Sequence, residues 1–311
     1  MIYTVTLNPA VDVYFTISKP LQEIEVNRAD SQTLKAAGKG INCSLLLDTL
    51  SIPSTAVALL GGFSGAFIKA QLQEKKLINV VEIAMKAENR INMKLLQKYT
   101  SLSVNASGSP IDETVKKELF ACTEMLTADD IVLLSGSLIP GFTEADYIEL
   151  CRSIKAKQAF LAVDTEMLSL SLLKKIQPDL IKPNLYELSL LLKRDSLSES
   201  LYDGLQEVLK YTRSVLLSLG ADGAVFCNHE ITLRITQQPI QAKNTVGCGD
   251  ALLAGFIGEY AKTNSLSAAL AMGAACACAH AEGNDSALDL IKSYLPKITI
   301  TLIESLTDLQ L

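Results

Sequence analysis

The stretch Asn244-Thr245-Val246-Gly247-Cys248-Gly249-Asp250 runs directly into Ala251-Leu252-Leu253-Ala254-Gly255-Phe256-Ile257. Its glycines let the backbone turn tightly and approach a ligand closely. The apolar run reads as the first turns of a buried helix. The N–H groups of Gly247, Cys248 and Gly249 would then crown a helix N-terminus, which is an anion site. Asp250 stands at its rim. A carboxylate beside a bound phosphate needs chemical work. The natural work is to take a proton from an attacking hydroxyl while the amides hold the phosphoryl charge. Asp250 is equally readable as a helix cap, and the stretch alone does not choose between the two.

Working outward, the same strand, glycine turn and helix order recurs. Ile2–Leu7 reads as a first strand, closed by Pro9, with Asp12 just past its end, either as a ligand-facing acid or as a turn cap. Ala37-Gly38-Lys39-Gly40-Ile41-Asn42 opens a helical run over Cys43–Leu50. Lys39 in that turn reads as an anion contact or as a solvated lysine. Thr55–Leu60 and Asn79–Met85 read as strands around a helix from Ala66 to Leu77. Further apolar strands fall at Ile131–Leu134, Ala159–Val163, Asp179–Ile181 and Val215–Leu219, with helical patterns between them. Ala224–Cys227 and Ile231–Ile235 read as a hairpin. A helix follows Asp250, an Ala-rich helix lies near 266–281, and a last helix starts at about Ala287. Short strands alternating with helices predict a doubly wound, mostly parallel sheet flanked by helices.

Residues 13–36 mix β-formers with charges and predict short exposed strands. Arg90-Ile91-Asn92-Met93-Lys94-Leu95 alternates polar and apolar, as a half-buried strand does. Its polar side, Arg90, Asn92 and Lys94, either grips a phosphorylated sugar or is the wet face of a sheet. Gly61-Gly62-Phe63-Ser64-Gly65 has GGxxG spacing, not the GxGxxG of a dinucleotide fingerprint, which counts against a hydride-transfer dehydrogenase. In Asn184-x-x-Glu187 an amide oxygen and a carboxylate fall one helical turn apart. They suit Mg²⁺, or simply begin a helix.

The chain has 311 residues, 49% of them hydrophobic and 20% charged, which indicates a globular protein. A net charge of −6 excludes nucleic acid or an anionic membrane as an electrostatic partner. Ala268–Ala281, the longest low-charge stretch, is too short to span a bilayer. Seven cysteines without a CxxC pair fit a reducing compartment. Met1 leads straight into a strand pattern without a basic leader, so a cytoplasmic location is expected. His229 and His280 lie far apart in sequence, against a His-based metal site.

Seven pieces in order carry a family resemblance: Thr6-Leu7-Asn8-Pro9-Ala10-Val11-Asp12, Gly38-Lys39-Gly40-Ile41-Asn42, Arg90-Ile91-Asn92-Met93-Lys94, Ser135-Gly136-Ser137-Leu138, Lys182-Pro183-Asn184 with Glu187, Ser218-Leu219-Gly220 with Gly223, and Thr245-Val246-Gly247-Cys248-Gly249-Asp250. Over nearly its whole length the chain resembles the PfkB branch of the ribokinase-like sugar kinases. It is most similar to the 1-phosphofructokinase and tagatose-6-phosphate kinase members. The resemblance implies one ribokinase-like α/β domain over 1–311, with a small β-sheet lid from about 13–36 and 88–107 that often serves as a dimer clasp. It implies Asp250 as the base, with the amides of Gly247, Cys248 and Gly249 as the anion hole. Asp12 and Asn42 would hold sugar hydroxyls beside Gly38. Lys39, Arg28 and Arg90 would contact the phosphate already on the substrate. Lys182, Ser218, Gly220 and Gly223 would line the ATP site, and Asn184 with Glu187 would organise Mg²⁺.

The implied reaction is ATP-dependent phosphorylation of fructose 1-phosphate to fructose 1,6-bisphosphate. The alternative substrate is tagatose 6-phosphate, giving tagatose 1,6-bisphosphate. A non-catalytic sugar-phosphate sensor of the same fold is the contrasting class, and Asp250 argues against it. Ala37 stands where the family usually has glycine, and Cys248 where it has alanine. Asp164-Thr165-Glu166-Met167 lacks the glycine usual after that strand.

Overall fold

The protein is described by a computed structural model covering residues 1–22, 24, 26–97, 101–194, 201–243, 245–283 and 287–303. It begins with β1 (Ile2–Thr6), β2 (Ala10–Thr16), β3 (Ser31–Ala37), α1 (Lys39–Thr49), β4 (Ser54–Gly61), α2 (Gly62–Gln73) and β5 (Ile78–Met85). Next come β6 (Arg90–Leu96), β7 (Ser101–Val104) and α3 (Glu113–Ala121). Strands and helices then alternate through β8 (Ile131–Ser135), α4 (Glu144–Ala156), β9 (Phe160–Asp164), α5 (Leu170–Ile176), β10 (Leu180–Ile181), α6 (Leu185–Leu192), α7 (Leu201–Leu209) and β11 (Ser214–Ser218). The chain closes with β12 (Ala224–Asn228), β13 (Thr232–Gln237), α8 (Cys248–Thr263), α9 (Leu266–Ala281), α10 (Leu288–Tyr294) and β14 (Ile298–Leu302).

The large sheet runs β14-β13-β12-β11-β10-β9-β8-β1-β4-β5. Pairing is parallel from β11 to β5, while β12, β13 and β14 add an antiparallel edge. Alternate residues of the buried strands feed two cores. Val5, Leu134, Val163 and Leu217 pack with Leu119 of α3, Tyr147 of α4 and Leu188 of α6. On the other face, Leu133, Ala162 and Leu216 pack with Leu47 of α1, Leu253 and Phe256 of α8, and Leu270 of α9. This is the expected doubly wound, ribokinase-like architecture. The chain leaves β1 for β4 on one side and returns to β8 on the other. The crevice at the carboxyl ends of β1 and β8 is therefore where such a sheet places ligands.

A second sheet, β3-β2-β6-β7, stands apart from the first. It matches the small sheet expected from about 13–36 and 88–107. Asp12 is not past a strand end, as its sequence position suggests, but inside β2. Val11 and Val13 alternate with it, bury on the α2 side and continue the strand.

Both glycine-led helices start earlier than their apolar runs imply. α1 begins at Lys39 and includes Gly40, where only glycine fits because a Cβ would run into Thr6 Oγ1. α2 begins at Gly62 because the Glu88 carboxylate closes its N-terminus. It accepts from the Phe63 and Ser64 amides at 3.0 Å each and from the Ser64 hydroxyl at 2.7 Å. A carboxylate held in the position of a pyrophosphate removes the dinucleotide reading of the GGxxG turn. The last helix stops at Tyr294, and Ile298–Leu302 forms an edge strand against β13 that the sequence reading passed over. Among the described residues no helix is long and apolar enough to cross a membrane.

Candidate active site

The stretch quoted first forms the N-terminus of α8, as its glycines require. Gly247 is the N-cap with φ at 90°, the left-handed region that favours glycine. No side chain caps the helix, so Asp250 is not a cap. The Asp250 carboxylate instead accepts a 2.8 Å hydrogen bond from Asn42 Nδ2 of α1. Burial, reinforced by the nearby Asp164 charge, pushes the Asp250 carboxyl up to about 6, against the pull of Asn42, Lys39 and Lys182. One expectation changes in detail. The Cys248 amide donates to Thr245 O at 3.3 Å, so it is not part of an open anion hole. The amides of Gly247, Gly249 and Asp250 have no protein acceptor among the described residues. Asn244 lies outside them.

Directly beneath α1 and α8, the carboxyl ends of three strands align. Thr6 of β1, Ser135 of β8 and Asp164 of β9 are register neighbours on one face, and Lys182 follows β10 beside them. Asp164 is almost wholly buried between two ammoniums, 3.0 Å from Lys39 Nζ and 3.4 Å from Lys182 Nζ. Burial pulls the Lys39 pKa down, but the charge and hydrogen bond of Asp164 outweigh it and leave the pKa raised. A Cβ on Gly249 would lie 2.8 Å from Lys182 Nζ, so this ammonium sits against the α8 N-terminus. An anion on the α8 amides would thus meet a second cation source. The structure places Lys39 differently from the expectation that it grips the phosphate already on the sugar. Its first partner is Asp164, and its charge also acts on Asp250.

Next to this cluster lies a cavity of about 430 Å³ lined by Asn8, Arg90, Ser107, Ser137 and Leu138 among others. Ser137 of its lining is the chain neighbour of Gly136, where an added Cβ would lie 4.0 Å from Lys39 Cβ. Arg90 is aimed by its own bonds, Nε to Asn8 O at 3.1 Å and Nη1 to Ala106 O at 3.2 Å. Burial lowers its pKa while Asp12 and Glu166 resist the shift. Asn8, next to Arg90, donates to Ser107 O at 2.9 Å and Leu138 O at 3.0 Å. Gly38, the N-cap of α1, is clamped on Thr6. Arg28, by contrast, is exposed on the β2–β3 connection and is not part of the cavity lining.

Asn184 and Glu187 form a capping box at the start of α6, each accepting from the other's amide at 2.8 Å. The helix-start reading of this pair is therefore correct, whatever else the pair does. Ser218 bridges to Asn184 at the adjoining strand end. Gly223, with φ at 89°, turns where a Cβ would run into Ile235 O, and Gly220 faces open space.

Sequence reasoning assigned no role to Asp164, Asn8 or Ser137, and read Asn92 only as part of a polar strand face that either grips a phosphorylated sugar or is wet. Asp164 carried a signal, a carboxylate ending the apolar strand Leu161-Ala162-Val163 at the ligand edge of the sheet. Ser137 lay in a quoted motif. Neither Asn8 nor Asn92 is distinguishable in sequence from a loop or surface amide.

A buried carboxylate with a raised pKa, beside helix N-terminal amides that have no acceptor among the described residues and with two ammoniums alongside, suits phosphoryl transfer to a hydroxyl. Residues 6–290 match the pfkB family of carbohydrate kinases, and the chain belongs to that family. It is therefore an ATP-using sugar kinase. The 1-phosphofructokinase of Borreliella burgdorferi is 33% identical over 96% of this chain and 98% of its own length. The D-tagatose-1-phosphate kinase of Bacillus licheniformis is 31% identical over 95% and 98%. The structure of Escherichia coli phosphofructokinase-2 superposes with a TM-score of 0.88 over 95% of this chain and 98% of that one; at 24% identity this likeness bears on the fold alone.

Proposed function

We propose that this kinase transfers the γ-phosphoryl group of ATP to fructose 1-phosphate, giving fructose 1,6-bisphosphate and ADP. The observation that carries the proposal is Arg90, a cation held in the lining of a cavity that borders the Asp250 cluster through Gly136 and Ser137. A substrate with a hydroxyl at one end and a phosphate at the other would use both. Asp250 removes the hydroxyl proton, and the α8 amides with Lys182 and Lys39 receive the charge of the moving phosphoryl group. Asp12 faces the sugar from the small sheet, and Asn42 holds Asp250 in place. Measuring ADP release over fructose 1-phosphate, tagatose 1-phosphate, tagatose 6-phosphate and free fructose tests the reading. The 1-phosphates should be preferred, and preference for free fructose would sink it. The kinship with a D-tagatose-1-phosphate kinase makes tagatose 1-phosphate the rival to beat.

Arg90→Ala should raise KM for fructose 1-phosphate roughly 10- to 150-fold, the ~1.5–3 kcal/mol of a charged hydrogen bond, with KM for ATP unmoved. If KM for ATP rises instead, Arg90 faces the nucleotide.

Mg²⁺ fits the residues present only in a particular way. Among the described residues no three His, Cys, Asp or Glu side chains cluster as a metal cage. Kinase Mg²⁺ needs no cage, since one or two carboxylates suffice when nucleotide phosphates and waters complete the shell. Glu187, one oxygen of which caps α6, would supply that carboxylate, next to Asn184. Held by Glu187 and Asn184, the ion would neutralise the charge of the nucleotide phosphates. Glu187→Gln keeps the capping box, because glutamine serves there equally. It should leave Tm unchanged and raise the Mg²⁺ concentration for half-maximal rate by roughly 10-fold or more. An unmoved Mg²⁺ titration returns Glu187 to capping alone.

We further propose one domain over 1–311 that pairs as a homodimer through the small sheet. The sheet face that buries Val11 and Val13 continues past α2 as an apolar surface, with Leu34, Ile91, Leu102 and Val104 all exposed. All seven cysteines are free thiols, which supports a reducing, cytoplasmic setting.

A further inference from the structure

One buried amide joins the two ends of the proposed substrate site, and its contacts are neither those of a wet sheet face nor those of a direct phosphate grip. Asn92 lies in the middle of β6, 5% exposed, and its side chain is used at both ends. Its Nδ2 donates to Asp12 Oδ1 on β2 at 2.7 Å. Its Oδ1 accepts from the Ala106 amide at 3.1 Å. Ala106 is in turn held through its carbonyl by Arg90, two residues before Asn92 on the same strand. The next residue, Ser107, lines the cavity and is held by Asn8. So the acid that faces the sugar, the arginine that faces the phosphate and the loop that walls the cavity all converge on one carboxamide.

The orientation of this amide is fixed by its neighbours. An amide N–H can only meet an acceptor, and a carboxylate can only accept. Asn92 therefore points its NH₂ group at Asp12 and its oxygen at Ala106. Among the described residues, the other donor to Asp12 is the Tyr14 hydroxyl, at the long distance of 3.5 Å. Without Asn92 nothing of comparable geometry holds it toward the site.

We infer that Asn92 is a positioning residue for the sugar phosphate, locking Asp12 and the Ala106–Ser107 wall into one register so that both ends of the substrate are read together. The inference rests on the proposed sugar-phosphate reading of the cavity. It goes beyond that reading by naming the joint between the two recognition elements.

A reciprocal exchange tests it. In Asn92→Asp the new carboxylate still accepts from Ala106 but faces Asp12 with like charge. In Asp12→Asn the new amide oxygen still accepts from Asn92. In the double variant, Asn at 12 donates to Asp at 92, and Asp at 92 still accepts from Ala106, so every bond of the joint is restored with donor and acceptor swapped. The measurement is KM for fructose 1-phosphate and for ATP in wild type, both single variants and the double, with Tm recorded for each. Asn92→Asp should raise KM for fructose 1-phosphate at least 10-fold in the wild-type background. It should change it less than twofold in the Asp12→Asn background, with KM for ATP steady throughout. An equal cost in both backgrounds would mean that Asn92 acts only as local packing, and the inference would fall. Asn92→Ala gives the same comparison should Asn92→Asp not fold, and its cost too should shrink in the Asp12→Asn background. Wild-type enzyme inactive on fructose 1-phosphate would refute the substrate reading instead, and the four proteins would then be compared on the sugar phosphate that the wild type does turn over.

Discussion

Asp250→Asn should lower kcat by a factor on the order of 10²–10⁴ and leave ATP binding nearly intact. The amide keeps the shape of the carboxylate and still accepts from Asn42, so what is lost is the proton acceptor. A second readout needs no substrate. The Asp250 carboxyl titrates at about 6 in the folded chain against an ordinary value of 3.8. The folded state therefore holds the proton more tightly than the unfolded state. Its contribution to stability is complete below about pH 4 and is lost as pH rises through 6. At pH 8 the wild type carries an ionised, buried carboxylate that the variant lacks. Asp250→Asn should accordingly raise the Tm of the substrate-free protein at pH 8 and have little effect at pH 4. A variant with wild-type kcat would strip Asp250 of its role as base. A Tm difference equal at the two pH values would show that burial does not shift its titration.

The sequence disclosed what is local. The glycine turns of α1 and α8 were legible because glycine and the following apolar run mark a helix start without any tertiary information. The parallel strands were legible as short apolar runs of the right length. Asp250 was legible as chemistry because a carboxylate is out of place beside an anion. The limits appear wherever partners are far apart in the chain. Asn42 was assigned to the sugar, yet it bonds a carboxylate 208 residues away. Lys39 was assigned to the far phosphate, yet it pairs with Asp164 across 125 residues. No periodicity reports that three strand ends will line up under one helix. The start of α2 was misjudged for the same reason, since its cap, Glu88, comes from the segment leading into β6. The edge strand Ile298–Leu302 is a different failure. Its strict alternation was visible, but it follows a helix closely and its partner strand lies on the outermost hairpin.

Asp164→Asn should be the other costly substitution, through electrostatics. Asp164 is the shared counter-ion of Lys39 and Lys182, and Lys182 is only 5% exposed. Removing one member of a buried ion pair leaves an uncompensated charge, which typically costs about 3–5 kcal/mol. Asparagine still accepts a hydrogen bond from Lys39, so the loss should fall at the lower end of that range. It would be read as a fall in the urea midpoint at unchanged m. The substitution also removes a negative charge that raises the Asp250 carboxyl, and it frees two ammoniums to act on Asp250. The acid limb of kcat/KM, which reports the base in the free enzyme, should then move to lower pH. Because burial is the larger cause of the shift, the limb should stop short of the ordinary carboxylate range. An unchanged urea midpoint would mean that Asp250 alone balances both lysines. An acid limb that stays where it is would assign the raised pKa of the base to burial by itself and leave Asp164 with no part in tuning it.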